Sequence, residues 1–266
     1  MSNTPPVNSS NALPFSQELA TRNIRLEVQY DGTEFHGWQI QPNLPTVQGE
    51  LTRILRVITQ ETVHIYGSGR TDAGTHALGQ VCHFHTASRM DLARLGKALN
   101  SRLPAAIRVT NIDPAPSDFH SRRQAKTKHY RYRILNTQWC PPFEYRYVYH
   151  FYHKLDYEKL SRASELILGK QDFSAFCDAD SQVESKVRQV TSSLFVFDTQ
   201  RNLLEYNVCA NGFLHHMVRN LVGTFLQVGT GRLQVDAIPM ILESKNRSRA
   251  GPTAPAKGLF LVWVGY

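Results

Sequence analysis

Ile24, Leu26, Val28 and Tyr30 alternate with Arg25, Glu27 and Gln29, the period-two pattern of a half-buried strand. Asp31-Gly32 then turns the chain. Beyond a loop through Pro45, the residues Val47, Leu51, Ile54, Leu55 and Ile58 fall at helical spacing, and Thr46 is placed to cap that helix. Two short strands are predicted near 62–67 and 80–86, flanking the glycine-rich segment G-S-G-R-T-D-A-G-T-H-A at 67–77. A helix near 91–100 and a strand at 107–112 complete the order β-α-β-β-α-β.

The second half repeats that order. Strands are predicted at 128–135, 188–198 and 203–210, the last two joined through T-Q-R-N, with a helix at 156–168. A helix at 214–228 gathers Val218, Leu221, Val222 and Phe225 on one face; a shorter helix at 236–243 and the strand Leu259 to Gly265 follow. The expected fold class is α+β: two ferredoxin-like halves with antiparallel sheets, helices on one face of each and the free faces lining a central basic cleft. The domain boundaries follow as 24–118 and 119–266. Residues 1–23, rich in Ser, Asn and Pro with little apolar content, are expected to be a disordered tail.

Charge changes the picture more than composition does. Of 266 residues, 30 are Lys or Arg and 22 Asp or Glu, a net charge of +8 and a pI near 9.4, which favours a polyanionic partner. Residues 1–115 hold ten basic and nine acidic side chains, whereas 116–266 hold twenty and thirteen, so the excess is C-terminal. The stretch from His120 to Arg133, H-S-R-R-Q-A-K-T-K-H-Y-R-Y-R, has no acid and includes Arg122, Arg123 and Lys126; Tyr130 and Tyr132 are interleaved with its cations. Such a strip reads as one that neutralises phosphates and stacks on bases. A second acid-free stretch runs from Lys245 to Lys257. No apolar run approaches the roughly 18–20 residues of a membrane helix, and the first 17 residues have neither charge nor a continuous apolar stretch, so a cytoplasmic protein is expected. Cys82, Cys140, Cys177 and Cys209 form no C-x-x-C pair, which argues against a disulfide scaffold and a zinc ribbon.

Candidate chemistry concentrates at Gly67 to Ala77. The segment lacks G-x-x-x-x-G-K-[ST] and no helix follows it, so it is not a phosphate loop. It presents the Asp72 carboxylate close to Arg70 on a flexible backbone, an arrangement suited to a nucleophile or a general base. His76, His83, His85 and Cys82 have no zinc spacing, and the H-x-E and P-C-x-x-C pattern of nucleobase deaminases is missing, so no metal is expected. His215-His216 reads as polar residues opening a helix, while Arg219, beside an apolar helix face, calls for an acidic partner.

These segments together resemble the tRNA pseudouridine synthase A family. The resemblance rests on Y-D-G-T-E-F-H-G-W-Q-I-Q-P at 30–42, T-V-Q-G-E-L at 46–51, G-R-T-D-A-G-T-H-A at 69–77 and F-H-S-R-R at 119–123. It continues in H-Y-R-Y-R-I at 129–134, F-L-H-H-M-V-R-N-L-V-G-T at 213–224 and A-G-P-T-A-P-A-K-G-L-F-L at 250–261. It covers the chain from about Ile24 onward and departs at Thr75, where the family usually has Val. It implies Asp72 as nucleophile, Arg70 as the residue that enters the RNA, and Tyr130 as the ring that stacks on uracil and serves as base. Arg219 is implied as the partner of Asp72, and Leu259 as an apolar wall of the pocket. The implied activity is isomerisation of uridine to pseudouridine at positions 38, 39 and 40 of the tRNA anticodon arm, by a homodimer with no cofactor. A non-catalytic tRNA-binding module is the alternative the residues leave open.

Overall fold

Strand β1 (Arg22–Tyr30) buries Ile24, Leu26, Val28 and Tyr30 as its alternation requires, and it begins two residues before the expected domain boundary because the Asn23 amide is already bonded to the carbonyls of Pro116 and Phe119. The computed structural model describes residues 21–178 and 183–266. The expected tail at 1–23 therefore lies mostly outside the described residues. Helix α1 (Val47–Thr59) is capped by Thr46, whose hydroxyl accepts from the Gly49 N–H, as the sequence predicted. Strand β2 is only Tyr66–Gly67, shorter than expected. Val63 and Ile65 are buried nonetheless, and the Ile65 carbonyl is satisfied by the Gln48 side chain at 2.8 Å instead of by a ladder. Strand β3 (His76–Thr86), helix α2 (Leu92–Arg102), which Asp91 caps, and strand β4 (Ile107–Ala115) follow.

The second half comprises β5 (Thr127–Leu135), β6 (Tyr149–His150), α3 (Tyr157–Glu165), β7 (Gly169–Asp172), β8 (Val187–Asp198) and β9 (Leu203–Ala210). Helices α4 (Met217–Gly229) and α5 (Ala237–Ser244) and strand β10 (Leu259–Gly265) close it. Among the described residues no helix is long and apolar enough to cross a membrane.

The two separate antiparallel sheets expected from the sequence are one ten-stranded mixed sheet, ordered β4-β1-β3-β10-β5-β9-β8-β7, with β2 beside β3 and β6 beside β5. The join is the last strand. β10 pairs antiparallel with β5 and parallel with β3, Phe260 opposite His76 and Leu261 opposite Ala77, so two edges that would otherwise template aggregation cover each other. Directly opposed residues share a face. Tyr30, Ala77, Leu261, Tyr130 and Val208 therefore lie on one side, as do Leu259, Tyr132 and Tyr206. That side carries α4, since Phe225 meets the Tyr206 ring at 5.3 Å.

Candidate active site

Asp72 sits in the loop between β2 and β3, and the loop is held on several sides, contrary to the flexible backbone expected of its glycines. The Trp38 N–H donates to Thr71 O, Gly74 N–H donates to Phe35 O, and Thr75 N–H closes a turn on Asp72 O at 3.1 Å. Tyr30 and Thr71 share a buried hydroxyl pair at 2.7 Å, and Gln80 donates to Gly69 O. The segment 30–38 forms the cradle. A Cβ on Gly32 would lie 2.0 Å from Thr75 O, and Gly37 takes φ +85° against Thr71 O, so both positions need glycine.

The carboxylate faces the start of α4. Arg219 Nη1 donates to Asp72 Oδ2 at 3.0 Å, which supplies the acidic partner its position called for. Its Nε donates to Ala254 O at 2.7 Å, and Ala254 N–H returns to Arg219 O, so segment 250–254 aims the guanidinium. The arginine nearest Asp72 in sequence is not its partner: Arg70 is exposed and makes no side-chain hydrogen bond or ion pair among the described residues. Both histidines dismissed as polar helix-start residues belong to the site. His216 Nε2 lies 3.4 Å from Asp72 Oδ2 and its Nδ1 2.6 Å from Asp178 Oδ2; His215 stacks on it at 3.9 Å and bridges the same two carboxylates at 3.8 and 3.6 Å. His216 adopts φ +58°, a left-handed conformation uncommon outside glycine, as it opens α4. The i, i+3 spacing of His216 and Arg219 was a legible signal, because it puts both on one helix face. Asp178 had none.

Tyr130 is buried on the same side, its ring edge-on to Phe213 at 5.0 Å. Burial pushes its phenol well above the ordinary tyrosine range, and the nearby Tyr30 and Asp72 add to the shift, so the hydroxyl is neutral. Leu259 is buried opposite Tyr132, whose hydroxyl donates to Pro255 O.

The basic strip does not act as one surface. Strand alternation in β5 sends Lys128, Tyr130 and Tyr132 toward the α4 side and His129, Arg131 and Arg133 to the opposite face. There Glu205 pairs with Arg131 at 3.5 Å and Arg133 at 3.3 Å. Interleaving in sequence thus separates these cations from the tyrosines, and Tyr132 is sealed in the core. Arg122, Arg123 and Lys126, in the loop before β5, are exposed and form no ion pair among the described residues.

For a metal, the described residues offer one group of compatible ligand atoms, Asp72, His215 and His216, all within 4.8 Å of one another. The Arg219 guanidinium already occupies Asp72 Oδ2. The histidines weighed from the sequence are engaged otherwise. His76 accepts from Gly32 N–H at Nδ1 and faces the carbonyls of Arg146 and Lys257 at Nε2; burial holds it below the ordinary histidine value despite Asp31 nearby. Burial, His120, His85 and Arg123 push His83 down to about 4.

The tRNA pseudouridine synthase family profile matches residues 27–123 and 163–266. A tRNA pseudouridine synthase A of Acetivibrio thermocellus is 43% identical over 245 residues, spanning 92% of this chain and 100% of that protein. One from Halalkalibacterium halodurans is 44% identical over 239 residues, covering 90% of each chain. With identity at this level along nearly the whole length, and with G-R-T-D-A-G folded against M-V-R-N, the chain belongs to the tRNA pseudouridine synthase family.

Proposed function

We propose that this chain, an isomerase that converts uridine to pseudouridine in tRNA, acts at positions 38, 39 and 40 of the anticodon arm, as a cytoplasmic homodimer and without a metal or other cofactor. The observation that carries the reading is the Asp72 carboxylate, fixed by Arg219 at 3.0 Å beside the neutral ring of Tyr130. The reaction breaks a carbon–nitrogen glycosidic bond, turns the uracil and joins it through carbon 5, with no net redox change or hydrolysis. One carboxylate suffices as nucleophile, attacking uracil carbon 6 or ribose carbon 1. The Arg219 guanidinium on Oδ2 keeps that nucleophile aimed.

The remaining residues take roles that follow from their places. Arg70, exposed and unpaired on the catalytic loop, enters the RNA and displaces the target base. Tyr130 stacks on the extruded uracil and Leu259 walls it, both buried on the face that carries Asp72. Arg122, Arg123 and Lys126 meet phosphates. We also read the chain as two ferredoxin-like halves, 24–118 and 119–266, about a basic cleft. The strand orders β4-β1-β3-β2 and β10-β5-β9-β8, the same permutation twice, support this reading. The cleft then lies among the helices on the α4 side and not on the free sheet faces.

The test is incubation of the purified protein with an unmodified tRNA transcript, with and without chelator, followed by chemical mapping of pseudouridine. Modification confined to 38–40 and indifferent to chelator is expected. Pseudouridine elsewhere, or its loss on chelation, would overturn the assignment.

A further inference from the structure

We propose that Lys128, with Arg188 and Arg122 around it, forms a subsite for one backbone phosphate of the RNA at the root of the catalytic loop. The inference rests on the RNA-modifying reading above. Lys128 lies on β5 opposite Ala210 and, by alternation with Tyr130, points to the side that carries Asp72. Its Nζ donates to Ser68 O at 2.8 Å, and a Cβ on Gly69 would fall 2.9 Å from that nitrogen, so a glycine lets the ammonium reach the loop.

An ammonium has three protons to donate. Among the described residues Lys128 finds one acceptor, and no carboxylate comes within 4 Å of it. Its charged neighbours are cations: Arg122 and Arg188 both act on it, and with burial they push its ammonium down to about 8. Arg188 donates through Nη1 to the carbonyls of Ser185 and Val187 and forms no ion pair, leaving its other guanidinium donors unassigned. Register supplies the geometry: Lys128 and Val190 both lie opposite Ala210, and Arg188, two residues from Val190, shares its face, so two cations with unused donors stand on one side of the sheet. A half-buried cation with cations for neighbours is uphill without a counter-ion. For an RNA-modifying enzyme the anion of the right size and charge is a phosphodiester, for which lysine serves as a point charge. Ser68 is four residues before Asp72, so the phosphate bound here belongs to a nucleotide close to the target uridine.

The test compares the full-length parent protein with Lys128→Met on tRNA in which single phosphates near the target uridine are replaced by uncharged methylphosphonates. For the parent, one substitution position should weaken binding on the order of tenfold, and Lys128→Met should weaken binding of unsubstituted tRNA similarly while being indifferent to that position. The salt dependence of Lys128→Met should flatten by about 0.7–0.9 log units per lost contact. Lys128→Arg should restore affinity. A parent insensitive at every position, or a folded Lys128→Met with parental affinity and salt slope, would overturn the subsite. If Lys128→Met does not fold, Arg188→Gln is put through the same series and judged by the same outcomes. Because the readout is binding, a subsite that fails leaves pseudouridine formation by the parent intact, whereas a parent that makes no pseudouridine refutes the functional reading.

Discussion

Arg219 Nη1 and Asp72 Oδ2 meet at 3.0 Å from positions 147 residues apart, one on the first turn of α4 and the other on the loop before β3. The pair fastens the two halves of the chain together at the site, so the Asp72 carboxylate is in place only when both halves are. Asp72→Asn keeps the size of the side chain and its turn-forming capacity but removes the charge. It should fold and bind tRNA yet form no detectable pseudouridine, at a stability cost of about 1–3 kcal/mol for leaving the half-buried Arg219 without its anion. Denaturant melts and pseudouridine mapping on the same preparation check this. A folded Asn variant converting uridine at the parental rate would falsify the nucleophile assignment.

His216 joins Asp72 to Asp178, and its backbone conformation gives a way to separate geometry from chemistry. Asn tolerates a positive φ better than other non-glycine residues, so His216→Asn should keep the melting temperature near that of the parent. Without the ring, turnover should fall at least about tenfold with little change in KM, because an interaction at the Asp72 carboxylate has been lost and not one with the RNA body. Asp178→Asn should show a smaller loss of the same kind. Unchanged turnover in both would reduce the histidine to a helix-opening residue.

How far the sequence was legible depends on range. Local rules placed β1, the Thr46 cap and the buried stripe of α4, because alternation, capping and helical spacing act within a few residues. Three failures have one cause, that contacts across the fold are not encoded in neighbouring positions. Arg70 is two residues from Asp72, yet the charge partner is Arg219, which the family resemblance implied and local spacing did not. Tyr132 and Arg133 are adjacent in sequence, yet the strand sends one into the core and the other toward Glu205. The joining of two sheets through β10 needed β3, some 180 residues away, and the contribution of Asp178 could not be read at all.

The exposed loop cations should govern affinity and not turnover. Changing Arg122, Arg123 and Lys126 together to Gln should weaken tRNA binding and flatten its salt dependence by about 0.7–0.9 log units per lost phosphate contact. Stability should barely move, since none of the three forms an ion pair among the described residues. Binding isotherms at several salt concentrations decide it, and an unchanged slope would place the RNA elsewhere.

Acid should destabilise the fold in a defined window. His83 is held neutral, its value pushed down to about 4 by burial and by His120, His85 and Arg123, while His76 and His129 are also lowered, chiefly by burial. Between that value and the unfolded histidine value of about 6.5, the unfolded chain binds more protons than the folded one. Stability therefore rises with pH across this interval and is lost as pH falls from about 6.5 toward 4. His83→Asn should make melting temperature less dependent on pH in that range. A slope as steep as the parent's would assign the effect to the other histidines.

Tyr130 poses the sharpest chemical question, because its burial opposes the role that its position offers. A tyrosinate base would have to form at neutral pH, whereas burial, Tyr30 and Asp72 all push the phenol upward. A neutral phenol can take the carbon 5 proton only by passing its own to an acceptor at the same time, so on the proposed role the hydroxyl would be a relay to such an acceptor and the ring the stacking surface. Two measurements distinguish relay, tyrosinate and stacking alone. Tyr130→Phe keeps the ring, and should bind tRNA as the parent does while turnover falls by about 10²–10⁴. In the parent, kcat should be flat between pH 7 and 9, since no tyrosinate population is being titrated in. A kcat that climbs tenfold per pH unit would establish the tyrosinate instead, and a Phe variant with near-parental turnover would leave Tyr130 only the ring.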